Sequence, residues 1–270
     1  MELTELSSLE LLRLCEGADC WHTRAVPELG LSPLMMADGP HGLRKQERAG
    51  DMLGMTASKR ATCFPTAVLT ACGWDEALLF DIGAALGREA RAEGVGLLLG
   101  PGANLKRGPL CGRNFEYFSE DPLLTGRLAA AFIRGVQSEG VGACLKHFAC
   151  NNQEYKRFSS NSVLDSRTLR ELYLRGFELA VREGRPAAVM CAYNAVNGEH
   201  CSDSRALLTD ILRGDWGFEG AVVTDWGATS DRIKGFKAGC DLMMPGGSRY
   251  MERDCLRALE RGELRRGELE

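Results

Sequence analysis

Hydrophobic positions along the chain follow two alternating periods. Helical spacing recurs at 75–94, 121–140 and 165–184. In DEALLFDIGAALGREARAEG (75–94), Leu78, Leu79, Ile82, Ala85 and Leu86 fall on one face and Gly94 closes the segment. The second stretch opens on Asp-Pro and ends on Gly, the expected asymmetry of a helix. The third opens on Asp165, an N-cap candidate, and closes on Gly184. Further helices are expected over 204–214 and after Thr229, where Thr229, Ser230 and Asp231 are cap candidates. Between these lie apolar runs without polar alternation: LMMAD (34–38), TAVLTA (66–71), GLLLG (96–100), GACLKH (142–147), AAVMCAYN (187–194), AVVTD (221–225) and DLMMP (241–245). Continuous apolar strands separated by amphipathic helices predict a parallel sheet covered on both faces, an α/β fold. Seven such runs predict a (β/α)8 barrel of the TIM type, incomplete or with one weakly patterned strand; a doubly wound sheet is the alternative. The barrel is expected over 1–247 and a charged terminal helix over 248–270.

Composition narrows the classes. The 270 residues are 44% hydrophobic and 26% charged, which suits one large domain and excludes disordered and fibrous chains. A net charge of −4 and a pI near 5.7 argue against nucleic-acid partners. No apolar run approaches the ~20 residues of a membrane helix. The first twenty residues carry Glu2, Glu5, Glu10 and Arg13 where a signal peptide needs an apolar stretch. The eleven cysteines are odd in number and contain no C-x-x-C pair. Buried free thiols in a reducing cytoplasm are therefore expected, with no metal site and no disulfide framework.

The polar residues fall at the ends of the runs. Asp38 ends the first, Lys146 and His147 the fourth, Tyr193 and Asn194 the fifth, and Asp225 with Trp226 the sixth. In a parallel barrel the carboxyl ends of all strands open on one face, where active sites are built. Arg113, in the long loop after GLLLG, is placed to reach that rim. Two carboxylates, an arginine, a lysine, a histidine and aromatics suit a polyhydroxylated ligand: the charged groups bond hydroxyls and the rings stack on a sugar face. Asp225 could instead cap the next helix, although residues 229–231 are better placed; Asp38 could be turn chemistry. His41, Cys111 and Cys150 read as bystanders.

At these residues the sequence resembles the N-terminal barrel of family 3 glycoside hydrolases, most nearly the bacterial β-glucosidase type. The matching stretches include WHT (21–23), MMADGPHGLRKQ (35–46), ATCFPTAVLTACGWD (61–75), GPGANLKRGPLCGRNFEYFSEDP (100–122), KHFACNNQE (146–154), MCAYNAVNG (190–198), VVTDWGA (222–228) and AGCDLMMPG (238–246), in the family's order. The resemblance implies that Asp225 is the nucleophile of a retaining hydrolysis of terminal β-D-glycosides. It places Asp38, Arg113, Lys146, His147, Tyr193 and Trp226, with Met190 beside them, in the sugar pocket. It implies no cofactor, and an acid/base glutamate on a second, C-terminal domain. Glu116, Glu120 and Glu154 occupy none of the positions the family uses for that role. Lys146 and Arg113 are expected to keep Asp225 ionised.

Three alternatives stand beside this reading. The single-domain β-N-acetylglucosaminidases of the family carry a K-H-F-P-G-H loop, whereas Lys146-His147-Phe148 is followed here by Ala149-Cys150-Asn151-Asn152. A barrel aldolase would use Lys146 as a Schiff-base amine. A sugar-binding chain without turnover would keep the pocket alone.

Overall fold

The computed structural model describes residues 3–47 and 57–270. Most helices begin where a short polar side chain takes up orphan amide groups; α2 and α6 are the exceptions. Ser7 and Glu10 form a capping box ahead of α1 (Ser8–Leu14). After β1 (Met36–Asp38) and the short α2 (Ala67–Ala71), Asp75 accepts from the amides of Ala77 and Leu78 to start α3 (Glu76–Ala92). β2 (Leu97–Leu99) follows, and Asp121 caps α4 (Pro122–Ser138). Past β3 (Gly142–Phe148), Asp165 opens the helical run 166–184, here α5, which contains π-type turns. β4 (Ala188–Cys191), α6 (Ala206–Asp215) and β5 (Ala221–Thr224) come next. Asp231, among the three candidates, caps α7 (Arg232–Ala238), and Ser248 caps α8 (Arg249–Glu260). No helix among the described residues is long and apolar enough to cross a membrane.

The five strands pair in parallel in the order β1-β2-β3-β4-β5. Three shorter segments close the sheet into a ring. Leu242 and Val223 form a parallel bridge, as do Met243 and Glu16. The chain then reverses tightly, so that Thr23 lies antiparallel to Gly17 and His22 antiparallel to Met35, beside β1. Backbone bonds of 2.8–3.0 Å complete the circuit: Thr224 N to Leu242 O, Gly17 N to Met243 O, Ala18 N to His22 O, and Met36 N to Trp21 O. The chain is thus an eight-segment α/β barrel of the TIM type, in which the segment around Trp21 runs against its neighbours.

Two expectations change. TAVLTA (66–71) is not a strand: Ala67, Thr70 and Ala71 are buried while Val68 and Leu69 face out, a helical spacing that six apolar residues are too few to reveal. The unseen strands lie around Glu16 and Trp21, where polar residues and a turn interrupt any apolar run.

Alternation along the strands divides the core in two. Met36, Leu97, Leu99, Cys144, Ala188, Met190, Val223 and Met244 fill the barrel interior with Trp21. Leu98, Ala143, Leu145, Val189, Cys191 and Val222 point outward under Leu79, Leu86, Leu128, Phe132, Phe177 and Leu208 of the helices. The inward set therefore steps by two from Met36 to Asp38, from Cys144 to Lys146 and from Val223 to Asp225, which carries the polar groups into the mouth of the barrel. Outside, α3 and α4 approach closely through Gly83 and Gly135: a Cβ on Gly135 would lie 2.1 Å from the Phe80 carbonyl oxygen. A third apolar cluster joins Leu6, Leu11 and Leu12 of the N-terminal region to Phe236, Cys255, Ala258, Leu264 and Leu269.

Candidate active site

A cavity of about 240 Å³ opens at the carboxyl ends of the strands, and all eight residues singled out from the sequence line it: Asp38, Arg113, Lys146, His147, Met190, Tyr193, Asp225 and Trp226. His41, Cys111 and Cys150 are not in its wall. A larger cavity of about 560 Å³, around Arg185, Trp216 and Phe218, lies beside the residues that lead into β4 and β5, away from these groups. The chemistry is concentrated in the smaller one.

Asp38 and Lys146 form the anchor of the cavity. Lys146 Nζ lies 2.7 Å from Asp38 Oδ1 and 4.0 Å from Glu116 Oε2, with the lysine only 3% exposed and the Asp38 side chain 33% exposed. Glu116 is buried and paired with Arg113. Burial opposes charge on Asp38, but the charge and hydrogen bond of Lys146 outweigh it and hold the carboxyl below its ordinary range. Burial likewise opposes the Lys146 ammonium, and the anions of Asp38 and Glu116 prevail, so its pKa is raised. The result is a charged pair of fixed geometry with hydrogen-bonding capacity toward the cavity.

Asp225 is in a different condition. It is 8% exposed, the Trp226 amide donates to Oδ1 at 2.8 Å, and Oδ2 has no hydrogen-bond partner. Desolvation is the largest influence and raises its pKa; Arg113 and Lys146 pull the other way without cancelling it. The two cations act in the direction expected from the sequence, toward the carboxylate, but burial outweighs them and makes the proton harder to remove than that of an ordinary aspartate. A desolvated carboxylate with a bare oxygen is a reactive one.

His147 is 1% exposed, with Nε2 3.7 Å from Asp225 Oδ2 and Nδ1 2.9 Å from the Tyr117 hydroxyl. Burial, together with the nearby charges of Arg113, Lys146 and Arg157, drives its pKa well below the ordinary value, so the ring is neutral. Tyr193 donates to the Trp226 carbonyl at 2.9 Å, and Trp226 donates from its indole to Cys20 O at 2.6 Å while its ring packs 5.5 Å from that of Trp21. These contacts leave an aromatic wall beside the carboxylates, with Trp21 and Tyr193 buried and Trp226 half-buried.

Sequence reasoning missed four lining residues: Trp21, Arg44, Leu99 and Arg157. Arg157 stacks its guanidinium 4.3 Å from the Tyr193 ring centre and pairs with Glu154 at 3.2 Å. It sits in a loop with no periodic signal, so only the fold could deliver it. Trp21 carried a signal, being an aromatic inside the WHT stretch, but nothing in the pattern placed it on a barrel segment. Leu99 follows from the inward parity of β2 once the interior is known.

Comparison with known proteins bears on the family and the fold. Residues 48–270 match the Glycosyl hydrolase family 3 N terminal domain. Thermostable beta-glucosidase B of Acetivibrio thermocellus is 53% identical over 97% of this chain and 35% of its own length. An exo-alpha-(1->6)-L-arabinopyranosidase of Bifidobacterium breve is 46% identical over 89% of this chain and 32% of its own. Among solved structures, beta-glucosidase 3B of Thermotoga neapolitana in complex with alpha-D-glucose superposes with a TM-score of 0.92 at 41% identity, covering 99% of this chain and 40% of that one. The chain spans about a third of the length of the curated relatives it matches. Sequence, barrel and profile agree, and the chain belongs to glycoside hydrolase family 3, matching that family's N-terminal domain.

Proposed function

We propose that this barrel carries the nucleophile of a retaining β-glycosidase of the β-glucosidase type, with Asp225 attacking the anomeric carbon. The observation that supports the reading is Asp225 itself: a buried carboxylate lining a small polar cavity, one oxygen held by the Trp226 amide and the other without a partner. In such a reaction the carboxylate forms a glycosyl-enzyme and a second carboxyl group protonates the leaving oxygen. Asp38, Lys146 and Arg113 anchor the hydroxyls of the sugar, and Trp226 and Tyr193 pack on its apolar edges. The cavity is smaller than the roughly 300–1,000 Å³ of drug-sized pockets, which fits a single terminal sugar ring. The relatives named for glucosides and for an arabinopyranoside support a pyranoside substrate.

The proton donor lies elsewhere in this reading. Among the described residues, Asp38 is the other carboxylate lining the cavity, and its pairing with Lys146 keeps it ionised and unsuited to give a proton. Glu116 is committed to Arg113, and Glu154 to Asn151 and Arg157. Glu120 lines a different cavity. The acid is assigned to a glutamate of a second domain, as the family resemblance implies. The aldolase alternative has no support, because Lys146 is held charged between two carboxylates and lacks the free amine a Schiff base requires. The eleven free cysteines, six of them buried, support placing the protein in a reducing, cytoplasmic compartment.

The test is incubation with a 2-deoxy-2-fluoroglucoside bearing a dinitrophenyl leaving group, which departs without acid assistance. The expected result is one added sugar by intact mass, mapping to Asp225, and no addition in Asp225→Asn. A folded chain that takes no label would leave sugar binding without turnover as the better reading.

A further inference from the structure

His147 faces two ways, and the direction of one hydrogen-bond chain decides what it offers to the cavity. Behind the ring lies the fully buried Tyr117, its hydroxyl 2.9 Å from Nδ1. Behind Tyr117 lies Asn151, 1% exposed, whose Nδ2 is 3.2 Å from the Tyr117 hydroxyl and 3.1 Å from Glu154 Oε1. The contact with Glu154 identifies the amide atom, because a carboxylate oxygen accepts from NH2 and repels a carbonyl oxygen. Asn151 therefore donates to both neighbours. The phenol oxygen accepts from it and from the Asn104 side chain, so its single proton is directed at Nδ1 of His147.

We propose that Tyr117 is a positioning residue that fixes His147 as the Nε2–H tautomer, so that the imidazole presents a hydrogen-bond donor to the cavity at Asp225. This rests on the glycosidase reading for its purpose but not for its geometry. The neutral ring has one proton. With Nδ1 occupied as an acceptor, that proton sits on Nε2, 3.7 Å from the unpartnered Oδ2 of Asp225. The other tautomer would set two lone pairs against each other there and leave the phenol without an acceptor inside the protein, a cost at each end of the chain. A donor at Nε2 can take a sugar hydroxyl oxygen as acceptor while keeping a favourable electrostatic face toward the carboxylate. The Asn104 side chain steadies the same region, donating from Nδ2 to the His147 carbonyl at 2.9 Å and accepting the Asn151 amide at 3.1 Å.

The tautomer can be read directly from two-bond proton–nitrogen correlations in protein carrying isotope-labelled histidine. The chain has four histidines, so His22→Gln, His41→Gln and His200→Gln assign the remaining signal to His147. The expected spectrum at neutral pH has a bare Nδ1 and a protonated Nε2, and in Tyr117→Phe the proton shifts toward Nδ1. The rate of labelling by the activated fluoroglucoside falls about tenfold in the same variant, the scale of one lost hydrogen bond. A wild-type His147 protonated on Nδ1 overturns the proposal, as does a Tyr117→Phe spectrum identical to wild type. Where Tyr117→Phe does not fold, the wild-type spectrum decides alone. Because the spectrum needs no turnover, a chain that shows the Nε2–H tautomer yet takes no sugar label would retire the glycosidase reading and leave Tyr117's role standing.

Discussion

With Asp225 as the proposed nucleophile, function and stability pull apart at a single residue. Its pKa is raised in the folded protein above the ordinary 3.8 of an unfolded chain. The folded state therefore binds the proton more tightly, so the ionised carboxylate lowers stability once the pH rises through the folded pKa. Asp225→Asn, inactive as a nucleophile, is expected to gain roughly 0.5–2 kcal/mol at neutral pH. The gain should shrink as the pH falls toward 3.8, where the wild-type group also becomes neutral. Thermal unfolding of the two proteins across that range checks it; equal melting temperatures at pH 7 would mean that Arg113 and Lys146 fully offset the burial. The same shift places the acid limb of the labelling rate above the ordinary aspartate range.

At the scale of elements, the longer helices were legible because their ends are written locally, whereas the short α2 was read as a strand. Asp75, Asp121, Asp165 and Asp231 cap the helices they precede, and a cap acts within three residues of its own position. The strands were legible as apolar runs, but their division into inward and outward faces was not, since a buried parallel strand is apolar on both sides. That hidden parity is what sends Lys146 and Asp225 into the mouth while Leu145 and Thr224 face elsewhere. Arg157 and Asn151 were illegible for a related reason: each matters only through contacts with distant segments, and loops carry no period. The α3–α4 contact makes a sharper claim. Gly83 and Gly135 let the two backbones meet, and Gly135→Val would force a side chain into the Phe80 carbonyl. A loss of about 1–3 kcal/mol is expected in denaturant unfolding, with the cavity chemistry intact. A neutral effect would show that the helices can separate freely.

For the whole molecule, the ring is the governing fact. The five regular strands account for only part of it, and the remaining segments come from the two ends of the described chain: Glu16 bridges Met243, and the Trp21 segment lies against β1. Trp21 and Trp226, in contact across the mouth, are joined by the same closure. A chain ending after Gly239 would lack the segment that links β5 to Glu16. It is expected to lose the near-ultraviolet circular dichroism of the tryptophan pair and all labelling at Asp225. Retained labelling would show that five strands suffice to shape the cavity.

Closure by the two ends also sets an order in time. During synthesis the residues around Glu16 leave the ribosome more than two hundred positions before their partner at Met243, and until then the growing sheet has an open edge on both sides. Long-range pairings of this kind are slow to form and expose unpaired strands while they wait. The barrel mouth, with Asp225 and its aromatic wall, is thus completed only once the segment around Met243 has emerged to pair with Glu16.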